Sequence, residues 1–229
     1  RKHYIKLDKK IVLSIASIGM APFFIQAAAS VVVFFINNNL KTHGGNIAIE
    51  SYAIANTLVM IIIMILVGLT QGMQPIVGYN YGAKRVERVK ETLNYTIKVG
   101  VCIGGVGLLI GMFLPDIIVQ PFNPSPPLAS ATASALRIIT ITLPLVGFQI
   151  VVTNFFQSIG MATKAIFLSL TRQFLFLIPA LFILPHFFGI SGVWYSLPTA
   201  DIFSTLLTLL LFILQIRAFR KVEEQAQMS

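Results

Sequence analysis

IVLSIASIGMAPFFIQAAASVVVFFI, residues 11–36, contains no charged side chain. About 20 mostly apolar residues suffice for a helix that crosses the roughly 30 Å hydrocarbon core of a bilayer. Five further mostly apolar stretches follow, at about 47–73, 93–114, 131–158, 165–185 and 194–216. Residues 47–73 form a stretch longer than a perpendicular crossing needs, so that helix must tilt, bend or protrude. The composition agrees with six spans. Of 229 residues, 56% are hydrophobic and 11% charged, under half the roughly 25% charge of a soluble domain. Mean hydropathy is +0.83. This excludes an ordinary soluble enzyme, a disordered tail and a disulfide scaffold. The expected fold class is an all-α membrane protein, a bundle of six transmembrane helices, with residues 1–229 as one domain.

The net charge of +9 would suggest nucleic acid in a soluble chain. Here its placement decides. Lys and Arg gather at 1–10, 84–90 and 217–221, between hydrophobic stretches. With six spans the basic tails and loops that share one face hold 13 Lys and Arg, and the opposite loops hold only Lys41. Positive residues mark the cytoplasmic side, so both termini are expected there and no nucleic acid partner is. The single cysteine, Cys102, lies in an apolar run and reads as a small buried hydrophobe. The chain starts at Arg1 rather than Met and carries no signal peptide.

Proline enters four of the helices, as Pro22, Pro144, Pro179 and Pro198, and each removes a backbone hydrogen bond. The third helix carries Gly100, Gly104, Gly107 and Gly111 at small-xxx-small spacing, which predicts a close-packing face. Polar residues recur at helical spacing. Gly19, Gln26, Ser30 and Asn37 form one stripe, and Asn56, Thr70 and Gln74 a second. Thr142, Gln149, Thr153 and Gln157 form a third, and Asp201, Ser204, Thr205 and Thr208 a fourth. A polar residue inside a membrane is a functional candidate by default. Gln26, Ser30, Asn37, Asn56, Gln149, Thr153, Asn154 and Gln157 are therefore the candidates for lining a neutral, substrate-binding cavity. Interhelical hydrogen bonding is the competing role.

Three intramembrane charges need partners. Counting residues inward from the span ends places Arg137 and Asp201 at the same level, about 9–10 Å deep, which predicts an Arg137–Asp201 contact. Arg172, nearer the opposite end, is expected to snorkel inward or to bond carbonyls. The histidines His3, His43 and His186 lie in tails or loops without metal-ligand spacing. No Walker A, G-x-S-x-G or C-x-x-C pattern is present. No metal site, cofactor or catalytic residue is expected, and a membrane-embedded enzyme is an unfavoured alternative.

Residues 71–92 read QGMQPIVGYNYGAKRVERVKET. Pro75 and Gly78 are expected to stop the second helix and Gly82 to allow a tight turn. From Ala83 a short interfacial helix should follow, its cations at the anionic inner leaflet. This run closely resembles the signature of the multidrug and toxic compound extrusion (MATE) family of secondary transporters. NFFQSIGMATKA at 154–165, SLTRQ at 169–173 and GVWYSLPTAD at 192–201 are similar to family segments in the same order. The first helix, with Pro22, Gln26 and Asn37–Asn39, looks like the family's seventh.

The resemblance, closest to bacterial members, implies one lobe of a twelve-helix transporter, the C-terminal one. The implied partners are membrane lipid, a small-molecule substrate and the N-terminal lobe of the same parent protein. The start at Arg1 then reads as a fragment's. The implied location is the bacterial inner membrane. The implied activity is export of drugs or other small amphipathic or cationic compounds in exchange for H⁺ or Na⁺. A lipid-linked oligosaccharide flippase of the same superfamily is the alternative. Some members bind cations through acids in the seventh and tenth helices. The matching helices here, 11–36 and 131–158, contain no Asp or Glu, so the coupling-ion site is expected outside this chain.

Overall fold

The computed structural model describes the backbone of residues 9–228 and, within it, the side chains of Lys9, Val12, Phe23 and residues 26–218. Gly19, Pro22 and most of both basic tails lie outside the described side chains. The longest element, α1 (Lys9–Gly82), is broken at Gly45, where φ 65° and ψ −158° are not helical. Glycine alone adopts such a backbone without strain. A Cβ on the neighbouring Gly44 would come within 2.5 Å of Ala48 and 2.7 Å of Ile190, so a GlyGly pair suits this tight break. The two arms of α1, residues 9–44 and 46–82, are each long enough to cross a bilayer. After them come α2 (Val86–Phe113), α3 (Pro115–Val119), α4 (Pro126–Ile139), α5 (Leu143–Ser158), α6 (Ala162–Leu170), α7 (Ile178–Phe188) and α8 (Ile190–Met228).

Pairs of these elements make single spans. Five long apolar helices are present among the described residues, and the break at Gly45 lets the first supply two crossings. The surface has the polarity of a membrane protein. Met64, Phe34 and Phe187 are exposed, while Ser51, Thr132 and Ser196 are fully buried. Cys102 is exposed too. An apolar position in a bilayer is satisfied by lipid as well as by a core, so the expected burial does not hold.

Two of the proline sites explain breaks in the helices. Pro144 has no N–H to offer the carbonyl of Thr140. The chain tightens into a 3₁₀ turn over Thr140–Thr142, and Leu143 N–H serves that carbonyl instead. Before Pro179 the helix widens into a π segment, Thr171–Leu177, in which Ile178 N–H reaches back five residues to Gln173 O. Pro75 and Gly78 do not stop their helix, contrary to the sequence expectation. The helix runs to Gly82, and the turn falls at residues 83–85, with Lys84 at φ 59°. A lone proline costs one bond, which a membrane bundle tolerates. The expected separate interfacial helix is simply the first turns of α2.

Gly100, Gly104, Gly107 and Gly111 of α2 are buried; the first three face α5, and Gly111 faces Thr140 of the 3₁₀ turn. A Cβ on Gly104 would collide with the Leu143 carbonyl and lie 2.7 Å from Pro144 Cα. Gly147 of α5 reciprocates, because a Cβ there would meet the Gly100 carbonyl. Backbone contact this close is how helices associate where no hydrophobic effect draws them together.

The interior has two apolar clusters. One gathers Leu40, Leu58, Leu66, Leu136, Leu143, Leu181 and Trp194. The other gathers Met73, Val77, Leu93, Val151, Phe155 and Leu168. Five of the six spans contribute to both clusters, and the first arm of α1 contributes to the first alone among the described residues; the residues between the clusters occupy the middle of the bundle. That middle layer is polar.

Candidate functional site: a charged knot beside a polar cavity

Asp201 stands at the centre of the middle layer, 4% exposed. Arg172 places Nε and Nη2 each 2.7 Å from Asp201 Oδ1. Thr142 Oγ1 donates to Oδ2 at 2.8 Å. Gln149 Nε2 donates to the Asp201 carbonyl at 2.8 Å and to Thr205 Oγ1 at 2.6 Å. Ser204 Oγ donates to Gln149 Oε1 at 3.2 Å. A buried charge is tolerated when it is paired and its remaining lone pairs are hydrogen-bonded, and Asp201 meets both conditions. Its two side-chain partners come from the two irregular turns. Thr142 ends the 3₁₀ turn and Arg172 lies in the first turn of the π segment.

The expected Arg137–Asp201 pair is therefore corrected: Asp201 pairs with Arg172, and Arg137 is exposed without an ion pair among the described residues. Two errors of length explain it. Helix α8 begins at Ile190 rather than near Trp194, and the fifth span begins at Ala162 rather than Ala165. Asp201 thus lies roughly 16 Å from the start of α8 and Arg172 roughly 15 Å from the start of the fifth span, measured from opposite ends of the bundle. The two depths sum to about one hydrocarbon thickness, so the charges meet at the midplane. Arg137 precedes Thr142 by five residues, which puts it roughly 7.5 Å away along the helix and about 140° around it.

Beside the knot lies a cavity of about 330 Å³. Gln149, Thr153, Asn154 and Gln157 of α5 line it, as do Arg172 and Gln173 of the π segment. Ser204 and Thr208 close it on the α8 side, and Ile63 and Val67 supply an apolar wall. Gln74 Nε2 donates to Asn154 Oδ1 at 3.0 Å, tying the second arm of α1 to α5.

Four of the eight cavity candidates are thus brought together. Gln26 and Ser30 are exposed, and Ser30 Oγ donates to the Gln26 carbonyl. Asn37 and Asn56 are half-buried and line no part of this cavity. Ser169 and Gln173 also line the cavity. They stand four residues apart in SLTRQ, a spacing that puts both on one helical face, although they belong to none of the four stripes named above.

The family model MatE matches residues 12–183. The chain belongs to the MatE family. Within it, the multidrug export protein MepA of Staphylococcus haemolyticus is 29% identical over 196 residues, covering 86% of this chain and 43% of that protein. The MepA of Staphylococcus saprophyticus is 26% identical over 208 residues, covering 91% and 46%. Among solved structures, the MATE multidrug transporter DinF-BH is 35% identical with a TM-score of 0.77, over 90% of this chain and 46% of that one. An inward-facing multidrug resistance MATE transporter superposes with a TM-score of 0.87 at 23% identity, over 94% and 50%. The chain spans about half the length of these relatives. Its fold is that of one MATE lobe, and these MatE relatives are transporters.

Proposed function

We propose that this chain is the C-terminal six-helix lobe of a secondary antiporter that exports drugs or other small amphipathic or cationic compounds in exchange for H⁺ or Na⁺. One observation carries the reading: in a MatE-family fold, a mostly uncharged polar cavity sits in the middle layer of the bundle, where transporters built from repeats bind their substrates. One repeat supplies half of such a site, so the partner is an N-terminal lobe and the isolated chain does not transport. Gln149, Thr153, Asn154 and Gln157 are the substrate-facing residues of this half. The coupling ion binds in the other lobe. The protein resides in the bacterial inner membrane with both termini in the cytoplasm.

The test is dye efflux from cells producing the parent protein, with and without an ionophore. Efflux that stops when the ion gradient collapses supports antiport. Efflux that persists without a gradient and follows ATP contradicts it. A flippase for lipid-linked sugars ranks second, because a pyrophosphate calls for several cations and this cavity is lined by one.

A further inference from the structure

The charge that lines the cavity is positive. Asp201, its counterion, is buried behind Arg172, with Oδ1 occupied by the guanidinium and Oδ2 by Thr142. The Arg172 side chain is 34% exposed and lines the cavity. The pair therefore presents its positive end to any guest and hides its negative end. Arginine has five N–H donors in a planar fork. Two of them go to Asp201, through Nε and Nη2. The Nη1 edge is left for a planar, acceptor-rich group, the geometry that suits bidentate carboxylate recognition.

The neighbouring residue adds a second signal. Gln173 Oε1 is buried without a hydrogen-bond partner, and Gln173 lines the same cavity. A buried acceptor left unmet is unfavourable, but Oε1 itself is enclosed, so a guest could meet it only if the Gln173 side chain turned into the cavity. Gln149, by contrast, has its amide committed to the knot, and Asn154 uses both ends of its own. Arg172 thus offers uncommitted charged donors on the cavity wall, one residue from the enclosed acceptor of Gln173.

We propose that this cavity, given the transporter reading above, selects amphipathic guests carrying a carboxylate, which Arg172 receives. A guest whose sole charge is positive meets the exposed guanidinium and is disfavoured on this wall.

A matched dye pair tests it. Rhodamine 110 is a free carboxylic acid, and rhodamine 123 is its methyl ester with the same cationic ring system. Binding of each to the full chain in lipid nanodiscs is followed by fluorescence anisotropy at neutral pH. The acid is expected to bind about tenfold more tightly than the ester, the scale of one charge-assisted contact. Arg172→Gln combined with Asp201→Asn removes both charges together, so no buried charge is stranded. In that variant the preference should fall below about twofold, chiefly through weaker binding of the acid, the loss of a single charged contact. Arg172→Lys keeps a cation without the fork and should retain an intermediate preference. Equal or tighter binding of the ester by the native chain overturns the inference and leaves the transporter reading standing. A preference that survives in the double variant overturns the role of Arg172. Binding of neither dye, with no efflux of either by the parent protein, removes both proposals.

Discussion

At the residue scale, the Arg172–Asp201 pair is tied into four helical segments, and its worth depends on what is removed. Asp201→Ala strands a guanidinium in the middle of the bundle. Such a break costs about 3–5 kcal/mol in a buried pair, and the one-third exposure of Arg172 places the loss near the low end. Replacing both residues by Gln and Asn should restore most of it. Thermal unfolding in detergent would show this, and a double variant less stable than the single one would refute it. The chemistry of the site was legible in part. The stripes carrying Gln149 and Asp201 followed from spacing alone. The partner of Asp201 did not, because an ion pair between distant helices depends on helix ends, and an error of three or four residues at an end moves a side chain about 5 Å.

At the element scale, two non-α turns do the positioning. A proline is visible in any sequence, but whether the helix kinks, tightens to 3₁₀ or widens to π depends on which neighbouring N–H replaces the missing one. That replacement is a tertiary matter, so Pro144 and Pro179 foretold irregularity without its kind. The glycine face of α2 was fully legible because packing in lipid leaves so few alternatives. Gly104→Ala should lower stability by about 1–3 kcal/mol, the usual penalty of overpacking, because its methyl would enter the Leu143 carbonyl. Gly105→Ala, with nothing within 4 Å, should stay within about 0.5 kcal/mol. Equal melting temperatures for the two variants would show that α2 and α5 are not in close contact.

At the scale of the whole molecule, two apolar clusters sandwich a polar middle. Composition announced the spans, yet it could not place this layer, which emerges only when six helices are set side by side. The topology is open to direct measurement. In a Cys102→Ala background, Lys84→Cys should react with an impermeant thiol reagent from the cytoplasmic side alone, and Thr42→Cys from the opposite side alone. Labelling of both from one side would contradict the expected six crossings.

The hairpin of α7 and α8 bears on biogenesis. The two helices are joined by Gly189 alone, at φ 57° and ψ −134°, and cross so closely at Gly192 that a Cβ there would strike the Leu184 carbonyl. Arg172 sits on the π segment that leads into the first leg, and Asp201 on the second leg. A lone Arg or Asp at a helix centre opposes membrane insertion by about 2.5–3.5 kcal/mol. Neither leg is therefore a comfortable passenger by itself. Folded back on one another at the exit of the insertion machinery, the two legs can neutralise each other before lipid surrounds them. The bond that anchors the middle of the finished lobe thus also gives its last two helices a reason to enter the membrane together.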